Sequence, residues 1–462
     1  MIKKTLCTIF CGCMISIAAF AQNNERIVSE RGIPNYKPTQ ENLQAQEAFR
    51  DMKFGVFIHW GVYSMLARGE WVMETSQIEW QEYEKMASAF YPHLFNADEW
   101  VSQIKASGAK YITITSRHHD GFSMYGTKMS NFNIVDATPF GRDVLKELAE
   151  ACQKQGIMLN FYYSLLDWRR DDYPRGLNGT HAGRAGVADP ENYFKFMKGQ
   201  IRELLTNYGP IGCIWFDGHW DHGQDPYFDW HYDEIYALIH ELQPACLVGN
   251  NHHIDPIEGE DIQIFERDVP GANTAGWHKG AVSKLPLETC DTMNGMWGYK
   301  IEDQNYKSVK QILRYLISTA GRNANLLLNV GPQPNGQIPA AAVERFKAVG
   351  EWMNTYGETI YGTRSELLPP QEWGVVTEKG NKVYVHLFPD DLVKTRFVNP
   401  SQGGEGEFFL PIPGIKVKNV KIFGGNPVKF KVNEAGVRMF LGEVPVDVAD
   451  YIVEIELSDS KK

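Results

Sequence analysis

The chain has 462 residues, of which 43% are hydrophobic and 22% are charged, and this is the composition of an ordinary globular protein. Its length predicts more than one domain. The formal net charge of -11 argues against nucleic acid as a partner, and nothing in the composition specifies an oligomeric state.

The first residues have the pattern of a secretory signal, with two lysines, an apolar stretch and an Ala-x-Ala sequence that ends at Ala21. We therefore expect residues 1–21 to be a signal peptide and the mature protein to be exported, most readily to a bacterial periplasm. A lipoprotein signal at Cys11 or Cys13 is a weaker alternative, because the residues before Cys13 form a poor small-residue box. No later stretch approaches the roughly 18 to 20 apolar residues of a membrane span, so we expect none.

Eight short apolar runs predict buried strands, and each run leads into polar residues at its C-terminal side. The runs cover residues 54–58, 111–115, 157–163, 212–216, 246–249, 262–265, 285–287 and 326–328. Amphipathic helices are predicted at residues 97–107, 143–155, 193–208, 232–242, 309–320 and 340–356. This alternation predicts an α/β fold, a parallel (β/α)8 TIM-like barrel. The barrel is expected to be irregular at residues 251–261 and 267–284, which lack a helical period.

Beyond Thr363 the pattern changes to short strands separated by turn residues. These runs cover residues 374–377, 382–388, 406–410, 417–423, 428–432, 437–441 and 451–457. Their spacing predicts a C-terminal antiparallel β-sandwich. We therefore expect a catalytic barrel over residues 22–362 and a β-sandwich over residues 363–462, with the sandwich supporting the barrel.

Two carboxylates at predicted strand ends are candidates for paired acid chemistry, Asp217 after the fourth strand and Glu266 after the sixth. Asp217 stands beside Gly218, which admits close approach of a ligand, and it suits an ionised nucleophile. Glu266 stands beside Arg267 and can be tuned by burial or by that cation. The structural alternatives are a turn cap for Asp217 and a salt-bridged strand end for Glu266.

Five short motifs follow in order along the chain. They are Phe-Ile-His-Trp-Gly at residues 57–61, Gly-Glu-Trp at 69–71, Arg-His-His-Asp-Gly-Phe at 117–122, Trp-Phe-Asp-Gly at 215–218 and Phe-Glu-Arg at 265–267. Together they resemble the motifs of the retaining alpha-L-fucosidases of glycoside hydrolase family 29, and the resemblance extends from about Ile33 to the sandwich. In that family the Asp of Trp-x-Asp is the nucleophile, which implies Asp217. The acid/base Glu of one form of the family precedes Arg and a following Pro, which implies Glu266 with Pro270.

The resemblance also implies a fucose pocket and no cofactor. Hydroxyl groups of the sugar would be bound by His59, Glu70, Trp71, His118 and His119. Tyr162 and Trp215 would shape the floor, and Trp297 would form a wall for the methyl group. A buried structural role is the alternative for the histidines, as is a core role for Tyr162 and Trp297. The expected function is hydrolysis of terminal alpha-L-fucose from a fucosylated oligosaccharide or glycoconjugate by retaining double displacement.

Two other functions are alternatives to this one. A metal-dependent hydrolase would place a cation among the histidines and carboxylates, but the first strand offers His59 alone and not the His-x-His pair usual in such barrels. We also expect the adjacent His118 and His119 to point to opposite sides of an extended segment, and His252 and His253 to be exposed or outside the site. We therefore expect no metal. A non-catalytic fucose-binding protein would lose one carboxylate, and both are present.

Overall fold

The computed structural model describes residues 30–458, so the predicted signal peptide lies outside the described residues. Within this range the chain forms a closed barrel of eight parallel strands, followed by a four-stranded and a three-stranded antiparallel sheet. The predicted fold class, a TIM-like barrel followed by a C-terminal β-sandwich, is confirmed.

The barrel strands follow one another around the barrel in chain order, and the last pairs with the first. They are β1 (Phe54–Ile58), β2 (Tyr111–Arg117), β3 (Met158–Ser164), β4 (Cys213–Asp217), β5 (Leu247–Asn250), β6 (Ile262–Glu266), β7 (Leu287–Thr292) and β8 (Ala324–Val330). The largest difference from the predicted bounds is at β7, which continues through polar residues. Inside the barrel, Glu288 accepts a hydrogen bond from the Trp215 indole, and Asp291 pairs with Lys307 at 3.0 Å. The strand therefore contains polar side chains that have partners, and the apolar pattern does not extend over them.

Helices lie outside the strands and between them. They are α1 (Gln40–Met52), α2 (Val72–Thr75), α3 (Trp80–Tyr83), α4 (Ala97–Ala106), α5 (Val144–Gln155), α6 (Pro190–Asn207), α7 (Tyr232–Leu242), α8 (Val309–Ala320), α9 (Ala340–Tyr356) and α10 (Pro389–Leu392). The six predicted helices are present as α4 to α9. No helix lies between β5 and β6 or between β6 and β7, all of whose connecting residues are described, and the predicted irregularity is therefore confirmed there.

The apolar pattern did not indicate α1, although the helix is 13 residues long. Two of its three buried residues are polar, Asn42 and Gln46, and the third is Phe49. Gln46 bonds Asn42 at 2.8 Å and Asp261 at 3.3 Å. A helix that buries polar residues against polar partners has a weak hydrophobic period, and sequence patterns miss it.

The C-terminal sheets have their own buried apolar cluster. Their strands are β9 (Gly374–Lys379), β10 (Lys382–Leu387), β11 (Glu407–Leu410), β12 (Val417–Ile422), β13 (Lys429–Asn433), β14 (Gly436–Phe440) and β15 (Tyr451–Leu457), ordered β12-β15-β10-β9 and β11-β14-β13. The sandwich contacts the helix layer of the barrel, because Arg314 on α8 donates to the Ala449 carbonyl at 3.0 Å and pairs with Asp390 at 3.1 Å. Among residues 30–458, none of the helices combines the length and the apolar character that crossing a bilayer requires.

Candidate active site

A cavity of about 340 Å³ opens at the carboxyl ends of the barrel strands, where enzymes of this architecture carry their active sites. All ten residues that were singled out from the sequence line it, namely His59, Glu70, Trp71, His118, His119, Tyr162, Trp215, Asp217, Glu266 and Trp297. Six further lining residues were not singled out, namely Phe57, Asn178, Trp220, Asn251, His253 and Trp277. The structure therefore brings together residues that lie more than 200 positions apart in the chain.

Asp217 ends β4, and its carboxylate accepts three hydrogen bonds. Tyr162 donates its hydroxyl to Oδ2 at 2.9 Å, and Oδ1 accepts from Asn251 at 3.3 Å and from the indole of Trp220 at 3.4 Å. Burial raises the pKa of Asp217, whereas these hydrogen bonds lower it. Gly218 has a left-handed φ of 105°, and an added Cβ would lie 3.0 Å from Leu166, so the chain leaves the carboxylate through a turn that favours glycine.

Glu266 ends β6 and has fewer hydrogen-bond donors than Asp217. Its Oε2 accepts from the Asn251 amide at 2.8 Å, and the His253 ring lies 3.7 Å from the same oxygen. Burial, followed by the negative charge of Asp217, raises the pKa of Glu266 to about 7. A carboxyl group in such surroundings keeps its proton near neutral pH, which suits a general acid.

Asn251 joins the two carboxylates through one amide nitrogen. Its Nδ2 donates to Oδ1 of Asp217 and to Oε2 of Glu266, which uses both of its hydrogens. Its Oδ1 is buried and has no hydrogen-bond partner among residues 30–458. The amide therefore sets the spacing of the carboxylates and leaves an acceptor for a ligand. Its place directly after β5, at the carboxyl edge of the barrel, was the signal in the sequence that could have found it.

His59 follows β1 and is held in one tautomer by Asn329 on β8. The Asn329 amide donates to the Trp297 carbonyl at 2.7 Å, so its oxygen faces Nδ1 of His59, also at 2.7 Å, and the ring must donate there. Burial lowers the pKa of His59 to about 3, so the ring is neutral. Its other nitrogen is then an acceptor for a ligand hydroxyl.

His118 and His119 both face the cavity, and their ring centroids are 4.1 Å apart. The expectation that they point to opposite sides is wrong, because β2 ends at Arg117 and the chain turns before an extended pattern can continue. Nδ1 of His119 lies 2.7 Å from the Ser164 hydroxyl, which itself donates to the Leu166 carbonyl, so the ring donates there. Burial lowers the pKa of both rings.

Nε2 of His119 is consequently an acceptor, and it lies 3.5 Å from Oδ2 of Asp217 with no hydrogen-bond partner in the described part of the chain. The His119 nitrogen and the Asp217 oxygen are both acceptors, so a group that donates a hydrogen bond can bind between them. A ligand hydroxyl can supply that donor.

Glu70 and Trp71 come from the loop after β1. Glu70 is buried, and its Oε2 accepts from the backbone N–H of Gly298 at 2.7 Å. Gly298 allows this approach, because an added Cβ would lie 2.8 Å from the Glu70 nitrogen. Trp71 stacks on Trp220 with ring centroids 5.6 Å apart and meets His119 edge-on at 5.5 Å. These contacts attach the loop to the rim of the cavity.

The floor is aromatic. Trp215 stacks on Tyr162 at 5.6 Å, and its indole nitrogen donates to Glu288 at 2.8 Å. Glu288 lies inside the barrel, where it also accepts from Tyr111 at 2.6 Å. Because the indole N–H of Trp215 donates to Glu288 beneath the cavity floor, the face of the ring is the part of Trp215 that a ligand can contact. Trp297 stands 5.2 Å from the His59 ring and forms part of the wall.

The loop after β5 differs from its expected position. His252 is buried, bonds Glu260 at 2.9 Å and does not line the cavity, whereas His253 does line it, so the expectation that the pair is exposed or outside the site is wrong for His253. The loop turns inward because Ile257 and Glu260 are both buried, the latter also bonding Tyr236 at 2.9 Å.

Among residues 30–458, no group of three or more His, Cys, Asp and Glu side chains is arranged to hold a metal ion.

The raised pKa of Glu266 predicts that Glu266→Gln stabilises the fold at neutral and higher pH. In the folded state the pKa lies near 7 and above the usual 4.5, so stability associated with the neutral carboxyl is complete below about pH 4.5 and is lost as pH rises through 7. Glutamine has no charge to bury, and its oxygen can still accept from Asn251. Thermal unfolding should show the variant more stable by roughly 1 kcal/mol or more at pH 8 and close to wild type at pH 4.5. A difference that does not grow with pH would contradict this.

Comparison with known proteins agrees with the geometry. The family model described as alpha-L-fucosidase matches residues 21–358. Rat plasma alpha-L-fucosidase is 29% identical over 82% of this chain and 86% of its own length, and bovine tissue alpha-L-fucosidase is 30% identical over 77% and 78%. Among solved structures, alpha-L-fucosidase isoenzyme 1 from Paenibacillus thiaminolyticus is 31% identical with a TM-score of 0.77, covering 91% of this chain and 100% of the other. An alpha-L-fucosidase from Vibrio sp. strain EJY3 is 26% identical with a TM-score of 0.76, covering 91% and 74%.

Proposed function

This chain belongs to the alpha-L-fucosidase family of glycoside hydrolases, and from this we propose that it removes terminal alpha-L-fucose from fucosylated oligosaccharides or glycoconjugates with retention of the anomeric configuration. The observation that carries the proposal is the pair of partly buried carboxylates, Asp217 and Glu266, bonded to one Asn251 amide nitrogen. Glycoside hydrolysis uses such a pair of carboxylates, one as nucleophile or base and the other as acid.

The mechanism is a double displacement. In the first step Asp217 forms a bond to the anomeric carbon, the glycosidic bond breaks, and Glu266 gives its proton to the departing oxygen. In the second step Glu266 takes a proton from water, water oxygen bonds to the anomeric carbon, and Asp217 leaves. The hydrogen bonds to Asp217 and the poorer hydrogen bonding of Glu266 support these roles, since they favour an ionised nucleophile and a protonated acid.

The spacing of the carboxylates supports retention over inversion. Oδ1 of Asp217 and Oε2 of Glu266 lie 3.3 Å and 2.8 Å from the shared Asn251 nitrogen, so these two oxygens cannot be farther apart than those two distances laid end to end. Carboxylates held this closely by one donor are compatible with the about 5–5.5 Å between the carboxyl groups of retaining enzymes.

The polar residues of the cavity support a sugar ligand. The neutral His59 and His119 each offer a ring acceptor, and Glu70 offers a carboxylate oxygen, so hydroxyl groups can be bound by hydrogen bonds. Trp71 and His118 would complete this polar lining. Tyr162, Trp215 and Trp297 would contact the ring and the methyl group of fucose.

The experiment that tests this function combines a substrate panel with product analysis. Aryl glycosides of several sugars and fucosylated oligosaccharides of several linkages are assayed, and the first product anomer is followed by NMR. We expect turnover of the alpha-L-fucosides and initial release of the alpha anomer. Preference for another sugar, or initial release of the beta anomer, would contradict the proposal.

Metal dependence is a separate prediction. In this mechanism the proton transfers and the covalent step use carboxylates only, so dialysis against a chelator should leave kcat/KM for an aryl alpha-L-fucoside within about twofold of the untreated enzyme. Metal analysis of the active protein should find less than one equivalent of any transition metal. A loss of activity that added zinc restores would favour the metal-dependent alternative.

We also propose the domain limits and the destination of the protein. Residues 1–21 would be a signal peptide, residues 22–362 the catalytic barrel and residues 363–462 a sandwich that supports it, with export to a bacterial periplasm. The separate apolar cluster of the sandwich supports the division, and its support role agrees with a cavity lined only by residues 57 to 297. Mass spectrometry of the mature protein should find an N-terminus at Gln22.

A further inference from the structure

The cavity has a wall beyond Glu266 that the fucose ligands proposed above do not use. Trp277 lines it with 46% of its surface exposed, and it is the one exposed tryptophan within residues 30–458. Its ring lies 6.0 Å from that of His253, whose Nε2 lies 3.7 Å from Oε2 of Glu266. Trp277 therefore stands on the side of the proposed acid.

This side of the cavity is where a leaving group must lie. The acid delivers its proton to the departing oxygen while the nucleophile attacks from the opposite face of the sugar, so the group attached to that oxygen extends past Glu266 and away from Asp217. The side chains that donate to Asp217 are Tyr162, Trp220 and Asn251. Trp277 is not among them, and its ring partner is His253.

The exposed indole is held by a braced loop. The next residue, His278, packs on the Phe265 ring at 4.4 Å, and the Lys279 N–H donates to the His253 carbonyl at 2.7 Å. Gln263 on β6 then donates to the Ala281 carbonyl at 2.8 Å. These contacts hold the loop in place without a ligand. A ligand that stacks on Trp277 therefore binds with a smaller entropic cost than it would on a loop that had to become ordered.

The chemistry of the wall selects the class of ligand. An indole offers a broad apolar face, which suits the C–H face of a pyranose ring. Its neighbour His253 is neutral above acidic pH, because burial lowers its pKa to about 4. A flat apolar face beside a neutral polar ring fits an uncharged sugar better than an ion or a flexible alkyl chain.

We propose that Trp277, with His253 beside it, forms the subsite for the sugar to which the fucose is attached. This inference rests on the proposed fucosidase function and adds the class of leaving group that the enzyme prefers. Trp277 is a specificity-determining residue in this account, and it takes no part in the displacement itself.

The test compares two substrates that have the same fucosyl group and different leaving groups. One is alpha-L-fucosyl fluoride, whose leaving group is too small to reach Trp277, and the other is the best substrate among alpha-L-fucosyl disaccharides of galactose and N-acetylglucosamine. Trp277→Ala should lower kcat/KM for the disaccharide by about tenfold or more and for the fluoride by less than about threefold. Trp277→Phe should restore most of the disaccharide activity, because it keeps an aromatic face.

A matched control is Tyr91→Ala, which removes another exposed aromatic ring that does not line the cavity and should leave both substrates unchanged. Equal losses on both substrates in Trp277→Ala would overturn the inference, because they indicate damage to the fucose site or the fold. Unchanged activity on both would overturn it as well. Failure of the wild-type protein to hydrolyse the fluoride would instead overturn the fucosidase function on which the inference rests.

Discussion

Asp217→Ala is expected to lower kcat on alpha-L-fucosides by roughly 10⁴-fold or more, the scale of losing a covalent nucleophile. Asp217 is the last residue of β4, and its carboxylate accepts hydrogen bonds from Tyr162, Asn251 and Trp220. Within residues 30–458, no other carboxylate accepts from all three of these side chains. Alanine removes the oxygen that is proposed to bond to the anomeric carbon and leaves space in its place. Steady-state assays with an activated aryl fucoside, in which leaving-group departure is easy, measure the loss directly.

Azide provides the internal check on this variant. A small anion can enter the space left by the Asp217 side chain and attack the same face, so azide should partly restore turnover and form beta-L-fucosyl azide. Asp225→Ala is the matched control, since Asp225 is an exposed carboxylate in the loop after β4 and should be replaceable without loss. Near-normal activity of Asp217→Ala without azide would contradict its role.

Glu266→Ala is expected to separate substrates by their leaving groups. Fucosyl disaccharides need a proton on the departing oxygen, so their kcat/KM should fall by about 10²- to 10⁴-fold, the usual contribution of general acid catalysis. Formation of the covalent intermediate from an activated aryl fucoside needs little protonation and should fall by less than about tenfold. Pre-steady-state measurement of the aryl alcohol released in the first turnover distinguishes the two classes.

The pH profile gives a second view of the same residue. If Glu266 is the proposed acid, wild-type activity should fall as pH rises through about 7, where this carboxyl group loses its proton. On the acidic side, activity should rise with pH as Asp217 ionises. Burial raises the pKa of Asp217 above its usual 3.8, so this rise should lie above pH 3.8. Glu266→Ala should lose the limb near pH 7, whereas Glu258→Ala, which removes an exposed glutamate from the loop before β6, should keep it. A limb that persists in Glu266→Ala would assign it to another group.

Much of the barrel was predictable because its strands are buried on both faces and therefore form continuous apolar runs. Phe54–Ile58 has only buried residues, and its bounds match the apolar run in the sequence. The position of a strand end also predicts which polar side chains converge, since all eight strands point their carboxyl ends at one edge. Asp217 and Glu266 illustrate this, because they lie 49 positions apart in the sequence and share one hydrogen-bond donor.

The residues that were missed depend on loop conformations that periodicity does not encode. His253 has a left-handed φ of 62° in a loop without a helix, and its inward position follows from burial of Glu260 nearby. Trp277 is placed by hydrogen bonds and ring contacts of the residues that follow it, such as His278 on Phe265. Each of these positions depends on contacts made by an irregular loop, and such contacts leave no periodic signal in the sequence.

In the proposed mechanism, Asp217 attacks the anomeric carbon of the sugar. Incubation of the wild-type enzyme with 2-deoxy-2-fluoro-alpha-L-fucosyl fluoride tests it most directly, because the ring fluorine slows both steps and the good leaving group lets the covalent intermediate accumulate. Peptide mapping by mass spectrometry should then find one fluorofucosyl group on the peptide that contains Asp217, with fragmentation assigning it to that side chain. A fluorofucosyl group on any other residue would contradict the account.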